Sequence, residues 1–460
     1  MTTSETRIET DSMGDVVVPQ SAMYGAQTQR ALNNFKISEL CLPDIFIMAL
    51  AQIKKAAAQT NADLNLLDAE FANAIRQAVD EILQHKHADQ FPIDVFQTGS
   101  GTSSNMNMNE VIVGICRANL GLELHPNDHV NLGQSSNDVI PTAIQVSSLL
   151  QLQNQLIPAF NRLIKVVDAK SDELKSVIKI GRTHLMDAMP LTFGQELSGW
   201  ASQLSSGVNR LEEFMISMTA LAQGGTAVGT GVNTHPLFAK GFAAHLSANL
   251  ANTLSLQFSP SDNFFRSISS QDISVGLSGH LRVLASSLYK ISNDLRWLNS
   301  GPLSGLAEIE LEALQPGSSI MPGKVNPVIP EAVSMACAQV VGNDATISMA
   351  GMSGNFQLNT MLPVIAYNLL QSIELLGNSA NHLGQHCIKN FMVNTDNINT
   401  SVQRNPILAT ALTPQIGYAA AAAIAKKAYR TKQSVLQIAI EETDIDEKQL
   451  REILDPLNLV

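Results

Sequence analysis

The sequence predicts an all-α protein built around long antiparallel helices, and three observations support this fold class. Tryptophan and tyrosine are scarce, at 2 and 5 residues of 460, whereas helix-favouring alanine, leucine, methionine and glutamine are abundant. Apolar residues recur at steps of three and four over very long stretches. Runs that alternate apolar and polar residues, as strands do, are nearly absent. Helices of this length and apolarity pack against other chains as well as their own.

Polar or glycine-rich breaks separate the predicted helical segments. The first fifty residues are rich in turn-forming residues. From Val139 one long helical pattern continues to Ile180, and we expect Pro158 to kink it. The other predicted helices cover 49–61, 69–84, 111–120, 191–222, 238–253, 274–299, 328–348, 361–391, 419–429 and 434–441.

Composition excludes several classes of partner. The net charge of −12 argues against binding to nucleic acid or to an anionic membrane surface. The cysteines are scattered without C-x-x-C spacing, which favours reduced thiols over disulfides or a zinc site; they are Cys41, Cys116, Cys337 and Cys387. Residues 1–14 are polar and acidic and do not resemble a signal or transit peptide. We therefore expect a soluble, cytoplasmic protein.

Four polar islands interrupt the apolar chain, at 98–109, 125–138, 181–187 and 316–331. Each places serine, threonine, asparagine or histidine beside glycine. One interpretation is that they are caps and turns at the ends of long helices. The other is that their hydroxyls, amides and single charges bind an anion.

The island that contains Gly317 to Pro327 is the most informative. Glycines and prolines alternate in it, so the segment is a shaped loop and not part of a helix. Lys324 offers a compact positive charge, and Asn326 with free backbone N–H groups offers neutral donors. The loop is thus suited to an anionic ligand.

The residues from Gly317 to Asn326 resemble the G-S-S-x-M-P-x-K-x-N signature loop of the aspartase/fumarase superfamily, and the similarity extends from about residue 11 to 457. Members eliminate an amine or hydroxyl group from a succinyl unit to leave fumarate. The resemblance implies a three-domain fold with an N-terminal helical domain over 1–134, a long-helix bundle over 135–391 and a small C-terminal domain over 392–460. It also implies a homotetramer whose bundles form one helical core and whose active sites are shared by three subunits.

The other islands resemble the remaining family motifs in the usual order. Thr98 to Asn107 is similar to the first motif, Gln134 to Asp138 to the second and Gly181 to Ala188 to the third. The substrate-binding residues that this implies are Ser100, Gly101, Thr102, Ser135, Ser136, Asn137, Thr183, Ser319, Lys324, Val325 and Asn326. A second, peripheral anion site of fumarases is matched by His125, Pro126, Asn127 and Asp128, where a helix-capping turn is an equal alternative.

Position 184 favours the fumarase branch, because fumarases carry histidine there and aspartases carry glutamine. In the family this histidine pairs with a glutamate that follows the signature loop, here Glu331; a carboxylate partner fixes the tautomer of an imidazole. Some features point towards aspartases, namely the run from Val325 to Glu331 and Gln357. Leu303 also replaces an arginine that is common in both branches.

The resemblance implies that fumarate and L-malate are interconverted by reversible anti addition of water. Ser318 would take the C3 proton, His184 with Glu331 would handle water, and Lys324 and Asn326 would stabilise the charge that develops. We expect no metal and no cofactor. The alternatives are an aspartate ammonia-lyase and a non-catalytic scaffold of the same superfamily.

Overall fold

The computed structural model describes residues 5–460, and 62% of the chain is helical, which confirms the all-α prediction. The first residues of the predicted N-terminal domain, 1–4, lie outside the described part. The α-helices are α1 Ala26–Asn34, α2 Asp44–Asp63, α3 Ala69–Leu83, α4 Thr102–Leu120, α5 Ser136–Gln151, α6 Ile157–Glu173, α7 Phe193–Ser217, α8 Phe238–Leu250, α9 Phe264–Ser269, α10 Asp272–Leu298, α11 Val328–Gly351, α12 Leu362–Leu383, α13 Thr395–Arg404, α14 Thr413–Ile416, α15 Tyr418–Thr431, α16 Val435–Glu442 and α17 Glu447–Ile453.

Short strands and tight helical turns complete the described chain. The strands pair two by two, and all pairs except β5–β6 are antiparallel. They are β1 Thr6–Asp11, β2 Gly14–Pro19, β3 Ile178–Thr183, β4 Met186–Thr192, β5 Ala220–Leu221, β6 Ser259–Pro260, β7 Ile309–Glu310, β8 Gly354–Asn355, β9 Leu358–Asn359 and β10 Met392–Val393. The 3₁₀ turns are Ala88–Gln90, Pro406–Leu412 and Pro456–Leu459, and the π turns are Pro126–Val130, Leu152–Leu156 and Gly384–Ile388.

The helix predicted from Val139 to Ile180 is wrong at its C-terminal end. The helix ends at Glu173, and Ile178 begins a β-hairpin formed by β3 and β4. The apolar residues that extended the helical periodicity to Ile180 belong to this hairpin. These residues pair with β4, which follows later in the chain. This pairing overrides the local helical pattern.

The expected kink at Pro158 takes a different form. A π turn covers Leu152–Leu156, directly before the proline, and the amide of Ile157 donates to the carbonyl of Leu152, five residues back. Proline has no N–H group, so the helix must change its hydrogen bonding in this region. The disruption therefore lies one turn ahead of the proline.

Two predictions near the N-terminus also need correction. The turn-rich start contains the β1–β2 hairpin, closed at Asp11 and Gly14, followed by α1. The helix predicted to start at Val111 begins at Thr102, so most of the polar island at 98–109 is helical. Asparagine favours loops, but Asn105, Asn107 and Asn109 are buried within α4. Hydrogen bonds to neighbouring segments compensate for their weak helix propensity.

The chain divides into two compact units. The first comprises the chain up to Pro158 together with Val208–Ala285 and Cys337–Gly377. Within it, α2 packs against α3, α5 and α8, and Leu50 and Ile53 of α2 are fully buried.

An amine lies in this apolar core. The side chain of Lys54, in the middle of α2, is 0% exposed. Its ammonium donates to Oδ1 of Asn131 at 2.9 Å and to Oε1 of Gln134 at 3.0 Å. Burial lowers the pKa of Lys54 to about 7, and the nearby Asp138 carboxylate opposes this shift. The first unit thus buries a cation beside the polar island at 125–138.

The second unit comprises Ala159–Gly207, Ser286–Ala336 and Asn378–Val460. In it the β3–β4 hairpin packs against α13 and the turn Pro406–Leu412. The C-terminal helices α15, α16 and α17 enclose a small apolar cluster that includes Leu412, Ile438 and Leu450. No helix within the described part of the chain is long and apolar enough to cross a membrane.

The burial of Lys54 predicts a pH-dependent stability. Between pH 7 and 9 the unfolded chain keeps a proton that the folded chain loses, so the free energy of unfolding rises with pH, here by about 2 kcal/mol. Below pH 7 both states are protonated and the contribution is constant. Burial raises the pKa of Asp138 only to about 6, so that group adds little slope above pH 7.

Urea unfolding at fixed protein concentration, measured from pH 7 to 9, checks this expectation. Lys54→Met removes the rise. The matched control Lys55→Met removes the neighbouring lysine, which pairs with Asp80 at the surface. This variant should keep the rise of stability with pH. Equal pH slopes for the native chain and Lys54→Met would contradict the assignment.

Candidate active site

The first unit brings the first two polar islands together. The side-chain amide of Asn105, on α4, donates to the hydroxyl of Ser136 at 3.0 Å and to Oδ1 of Asn131 at 3.1 Å. Asn131 Oδ1 also accepts from Lys54. A continuous polar network therefore links α4, the 131–134 segment and the first residue of α5.

The second island forms the N-terminus of α5, as the sequence predicted. Ser135 is its N-cap, and Ser135 and Asp138 form a reciprocal capping box. The other carboxylate oxygen of Asp138 accepts from the amides of Gly224 and Thr226 at 3.0 and 2.8 Å. The side chain of Asn137 donates to the carbonyl of Ala227 at 2.8 Å. The glycine-rich loop after Gly224 thus holds this helix end, whose free N–H groups favour an anion.

The first island is shaped by a glycine in the left-handed region. Gly101 has φ +71°, and a Cβ at this position would lie 2.9 Å from Ile140 of α5. The hydroxyls of Ser100 and Thr102, on either side, are 2.8 Å apart. Gly101 therefore lets the start of α4 approach α5 closely, and it places two hydroxyls at that start.

The predicted second anion site is a capped turn in this structure. His125 is the N-cap of the π turn Pro126–Val130, and its Nδ1 accepts from the amide of Asp128 at 3.1 Å. That nitrogen also lies 3.0 Å from the Asp128 carboxylate. His125, Asn127 and Asp128 are exposed. The geometry agrees with the capping interpretation, and anion binding here stays a prediction.

The third island is the tip of the β3–β4 hairpin in the second unit. Thr183 pairs with Met186, so His184 and Leu185 form a two-residue turn, with φ of 55° and 61°. Positive φ at both positions is typical of type I′ turns and is disfavoured for residues other than glycine, asparagine and aspartate. Thr183 and His184 are both exposed. The tip thus presents the imidazole to the outside of this chain, on a strained turn.

A buried cluster of charges lies beneath this tip. Glu308 is 3% exposed, and its carboxylate lies 3.0 Å from the Lys179 ammonium and 2.5 Å from the Arg182 guanidinium. Lys179 also pairs with Glu196 at 2.5 Å. Sequence reasoning missed this cluster because 126 residues separate Arg182 from Glu308.

The signature loop is closed by its own backbone. The amide of Gly317 donates to the carbonyl of Lys324 at 2.8 Å, and the side chain of Asn326 donates to the carbonyl of Gly317 at 2.8 Å. A Cβ at Gly317 would lie 2.6 Å from the Lys324 carbonyl oxygen. Gly323 has φ +82°. The glycines are therefore required by the loop's path, as the sequence indicated.

Within this loop Ser318 receives two backbone hydrogen bonds. Its Oγ accepts from the amides of Ile320 at 3.2 Å and Met321 at 3.0 Å. Such contacts are typical of serine in a tight turn. They also place two N–H donors against Oγ, and donors stabilise negative charge on the atom that they contact.

A cleft of about 440 Å³ borders the loop. Lys324, Asn326 and Glu331 line it, together with Arg296 and Trp297 from the last turn of α10. Ser318 and Lys324 line a second cleft, of about 480 Å³, along the loop. Lys324 belongs to both. Sequence reasoning missed Arg296. In the sequence it is only a basic residue in the last helical turn before Gly301, and nothing local indicates that it lines a cleft.

Glu331 and His184 form no hydrogen bond or ion pair with each other among the described residues of this single chain. Glu331 lies in the first turn of α11 and is half-buried. The predicted pairing of these two side chains stays a prediction.

The two departures from the family pattern lie at exposed positions. The side chain of Leu303 is 95% exposed. Its loop is held by Ser300, whose carbonyl and hydroxyl accept from the amides of Ala307 at 2.8 Å and Leu306 at 3.0 Å. Gln357 lies in the turn of the β8–β9 hairpin and is also exposed. The side chain of Leu303 is thus not what supports this loop.

Comparisons with known proteins identify relatives of this chain. A family model described as lyase matches residues 14–342, and one described as fumarase C C-terminus matches residues 408–460. Fumarate hydratase class II 2 of Pseudomonas aeruginosa is 52% identical over 456 residues, which cover 99% of each chain. The crystal structure of a class II fumarase from Schistosoma mansoni is similar with a TM-score of 0.96 at 39% identity, over 99% of both chains.

A fumarate lyase:delta crystallin structure from Brucella melitensis has a TM-score of 0.94 at 44% identity, again over 99% of both chains. Sequence, fold and the motif residues described above lead to one assignment. The chain belongs to the class II fumarate hydratase family of the aspartase/fumarase superfamily.

Proposed function

We propose that this chain is a fumarate hydratase that interconverts fumarate and L-malate by reversible anti addition of water. The observation that carries the proposal is the contact of two backbone amides with Ser318 Oγ. A serine that must act as a base needs its alkoxide stabilised, and fixed N–H donors supply that stabilisation without a metal or a neighbouring histidine.

In the dehydration direction, Ser318 Oγ removes the C3 proton of L-malate. The electron pair left on C3 delocalises into the adjacent carboxylate, which takes on a second negative charge. Lys324 and Asn326, on the same closed loop, stabilise that charge. Lys324 is suited to this role because it is exposed and belongs to the lining of both clefts that border the loop.

The second step breaks the C2–O bond. His184, through a bound water, donates a proton to the leaving hydroxyl, and water and fumarate result. In the hydration direction the same imidazole takes a proton from the attacking water. Glu331 from the start of α11 orients the imidazole.

Hydroxyl and amide donors of the other islands hold the substrate carboxylates. In the first unit these are Ser100, Thr102, Ser136 and Asn137, at the adjoining starts of α4 and α5. Thr183 at the hairpin tip and Ser319 and Val325 in the signature loop complete the set. Neutral donors hold a dicarboxylate without trapping the product. For the segment from His125 to Asp128, a peripheral anion site and a capping turn stay alternatives.

The active enzyme is a homotetramer with sites shared between subunits. Support comes from α11, whose exposed residues between 338 and 349 are all uncharged: Ala338, Gln339, Val341, Gly342, Ala345, Thr346 and Met349. A helix face open to water normally carries charged residues. Assembly of such faces from several chains, around the predicted central domain of residues 135–391, would bury this surface.

We further infer that the reaction serves the tricarboxylic acid cycle in the cytoplasm. All four cysteines are free thiols, which fits a reducing compartment.

The ultraviolet absorbance of fumarate tests the proposed activity. Purified protein given L-malate should form fumarate, and fumarate should disappear at the same rate with and without ammonium. Loss of fumarate only in the presence of ammonium would instead assign an aspartate ammonia-lyase. If neither assay shows a reaction, the remaining alternative is a non-catalytic scaffold of the same superfamily.

Alanine at either predicted proton-transfer residue should abolish most of the activity. We expect Ser318→Ala and His184→Ala each to lower kcat by about 10²- to 10⁴-fold, because each removes an acid–base group. Ser304→Ala, at an exposed serine of a neighbouring loop, is the matched control and should keep the native rate. Size-exclusion chromatography should show the same tetramer for all three. Near-native turnover in either catalytic variant would refute its assigned role.

Subunit mixing tests whether the sites are shared. If Ser318 and His184 of one site come from different chains, co-expressed Ser318→Ala and His184→Ala subunits form some sites that contain both native residues. The hybrid tetramers should then regain a measurable fraction of native kcat, far above either parent. Hybrids as inactive as the parents would show that one chain supplies both residues.

A further inference from the structure

The ladder between β3 and β4 is irregular below the hairpin tip. Ile180 pairs with Pro190 and Arg182 with Asp187, so Gly181 alone faces Ala188 and Met189. A Cβ at Gly181 would lie 2.7 Å from the Met189 carbonyl oxygen. Bulges of this kind change the direction of a strand. The irregularity lies between the base of the hairpin and the tip that carries His184. It therefore determines the direction in which the tip extends.

Lys179 and Arg182 lie on the two sides of this irregularity. Residues three apart in a regular strand point to opposite faces. Here both side chains reach one carboxylate, with Lys179 at Glu308 Oε2 (3.0 Å) and Arg182 at Glu308 Oε1 (2.5 Å). Glu308 thus ties the base of the hairpin to its tip across the irregularity.

Glu308 is itself firmly held. It is 3% exposed; its amide donates to the carbonyl of Leu298 at 2.8 Å, and its carbonyl accepts from the amide of Asn394 at 2.9 Å. Because its backbone is hydrogen-bonded on both sides, the Glu308 carboxylate has a fixed position. Its surroundings are charge-balanced, since Lys179 and Arg182 face Glu308 and Glu196. Buried charges that form ion pairs are tolerated where they specify one geometry.

We propose that Glu308 is a positioning residue for His184. By binding Lys179 and Arg182 together, its carboxylate fixes the direction of the hairpin tip and so the place of the imidazole that handles water. The expected effect on kcat rests on the proposed function. The expected effect on the structure of the hairpin tip rests on the hairpin geometry alone.

A double-mutant cycle gives the kinetic test. Glu308→Gln keeps the size of the side chain but loses the charge that holds both cations. We expect it to lower kcat about 10- to 100-fold, the loss that follows a small misplacement of a catalytic group. In the His184→Ala background the same substitution should change kcat less than about twofold, since no imidazole is left to misplace. Equal losses in both backgrounds would overturn the proposal.

Two further variants guard against a general loss of folding. Arg182→Gln breaks the tie from a more accessible side chain and should reproduce the loss of kcat, whereas Arg182→Lys keeps a cation and should restore most of it. Glu196→Gln is the matched control: Glu196 pairs with Lys179, on the base side of the irregularity, and its loss should leave kcat near native. A loss of kcat in Glu196→Gln as large as in Glu308→Gln would contradict a specific role of Glu308.

Hydrogen exchange measured by mass spectrometry tests the geometry independently of activity. In Glu308→Gln the amides of peptides that cover 181–187 should exchange about tenfold faster or more, while peptides of α15 keep native rates. Unchanged exchange at 181–187 would refute the positioning role even if the protein has no hydratase activity. Failure of the native protein to convert L-malate, with fast exchange in the variant, would refute only the proposed function.

Discussion

The closure of the loop between Gly317 and Asn326 is the constraint on which the candidate chemistry depends. One backbone hydrogen bond joins Gly317 to Lys324, and the Asn326 side chain adds a second across the same neck. With the path of the backbone fixed, the amides of Ile320 and Met321 face Ser318 Oγ. Lys324 itself is exposed and lines both clefts beside the loop. A residue larger than glycine at 317 would break the closure, and with it the placement of both groups.

Pairing of buried charges is the second physical theme. A chain with net charge −12 must present cations to an anionic substrate against its own field. It also places two lysines in nearly water-free surroundings. Lys54 is held by amide oxygens of Asn131 and Gln134, and Lys179 by two carboxylates. Each lies beside a polar island, so buried lysines and their polar partners hold the segments that carry the predicted site residues.

Each unit presents its own share of those residues. The first presents the starts of α4 and α5, joined by Asn105 and Ser136. The second presents the hairpin tip and the signature loop, where His184, Ser319 and Lys324 are exposed. Exposure of so many predicted contact residues in one chain, together with the uncharged face of α11, fits sites completed by other subunits.

Local signals let the sequence by itself determine much of this protein. The period of apolar residues located most of the long helices, the polar run at 134–138 marked the start of α5, and glycine and proline marked the loop at 316–327. These features act over a few residues and can be recognised without the fold. Only the tertiary structure decided what depends on distant partners. The end of a predicted helix is part of the β3–β4 hairpin, because it pairs with a second strand. The asparagine-rich segment at the start of α4 is helical, because its side chains are buried and hydrogen-bonded. The tie between Arg182 and Glu308, 126 residues apart, and the approach of Arg296 to the signature-loop cleft arise from long-range packing, which no local pattern encodes.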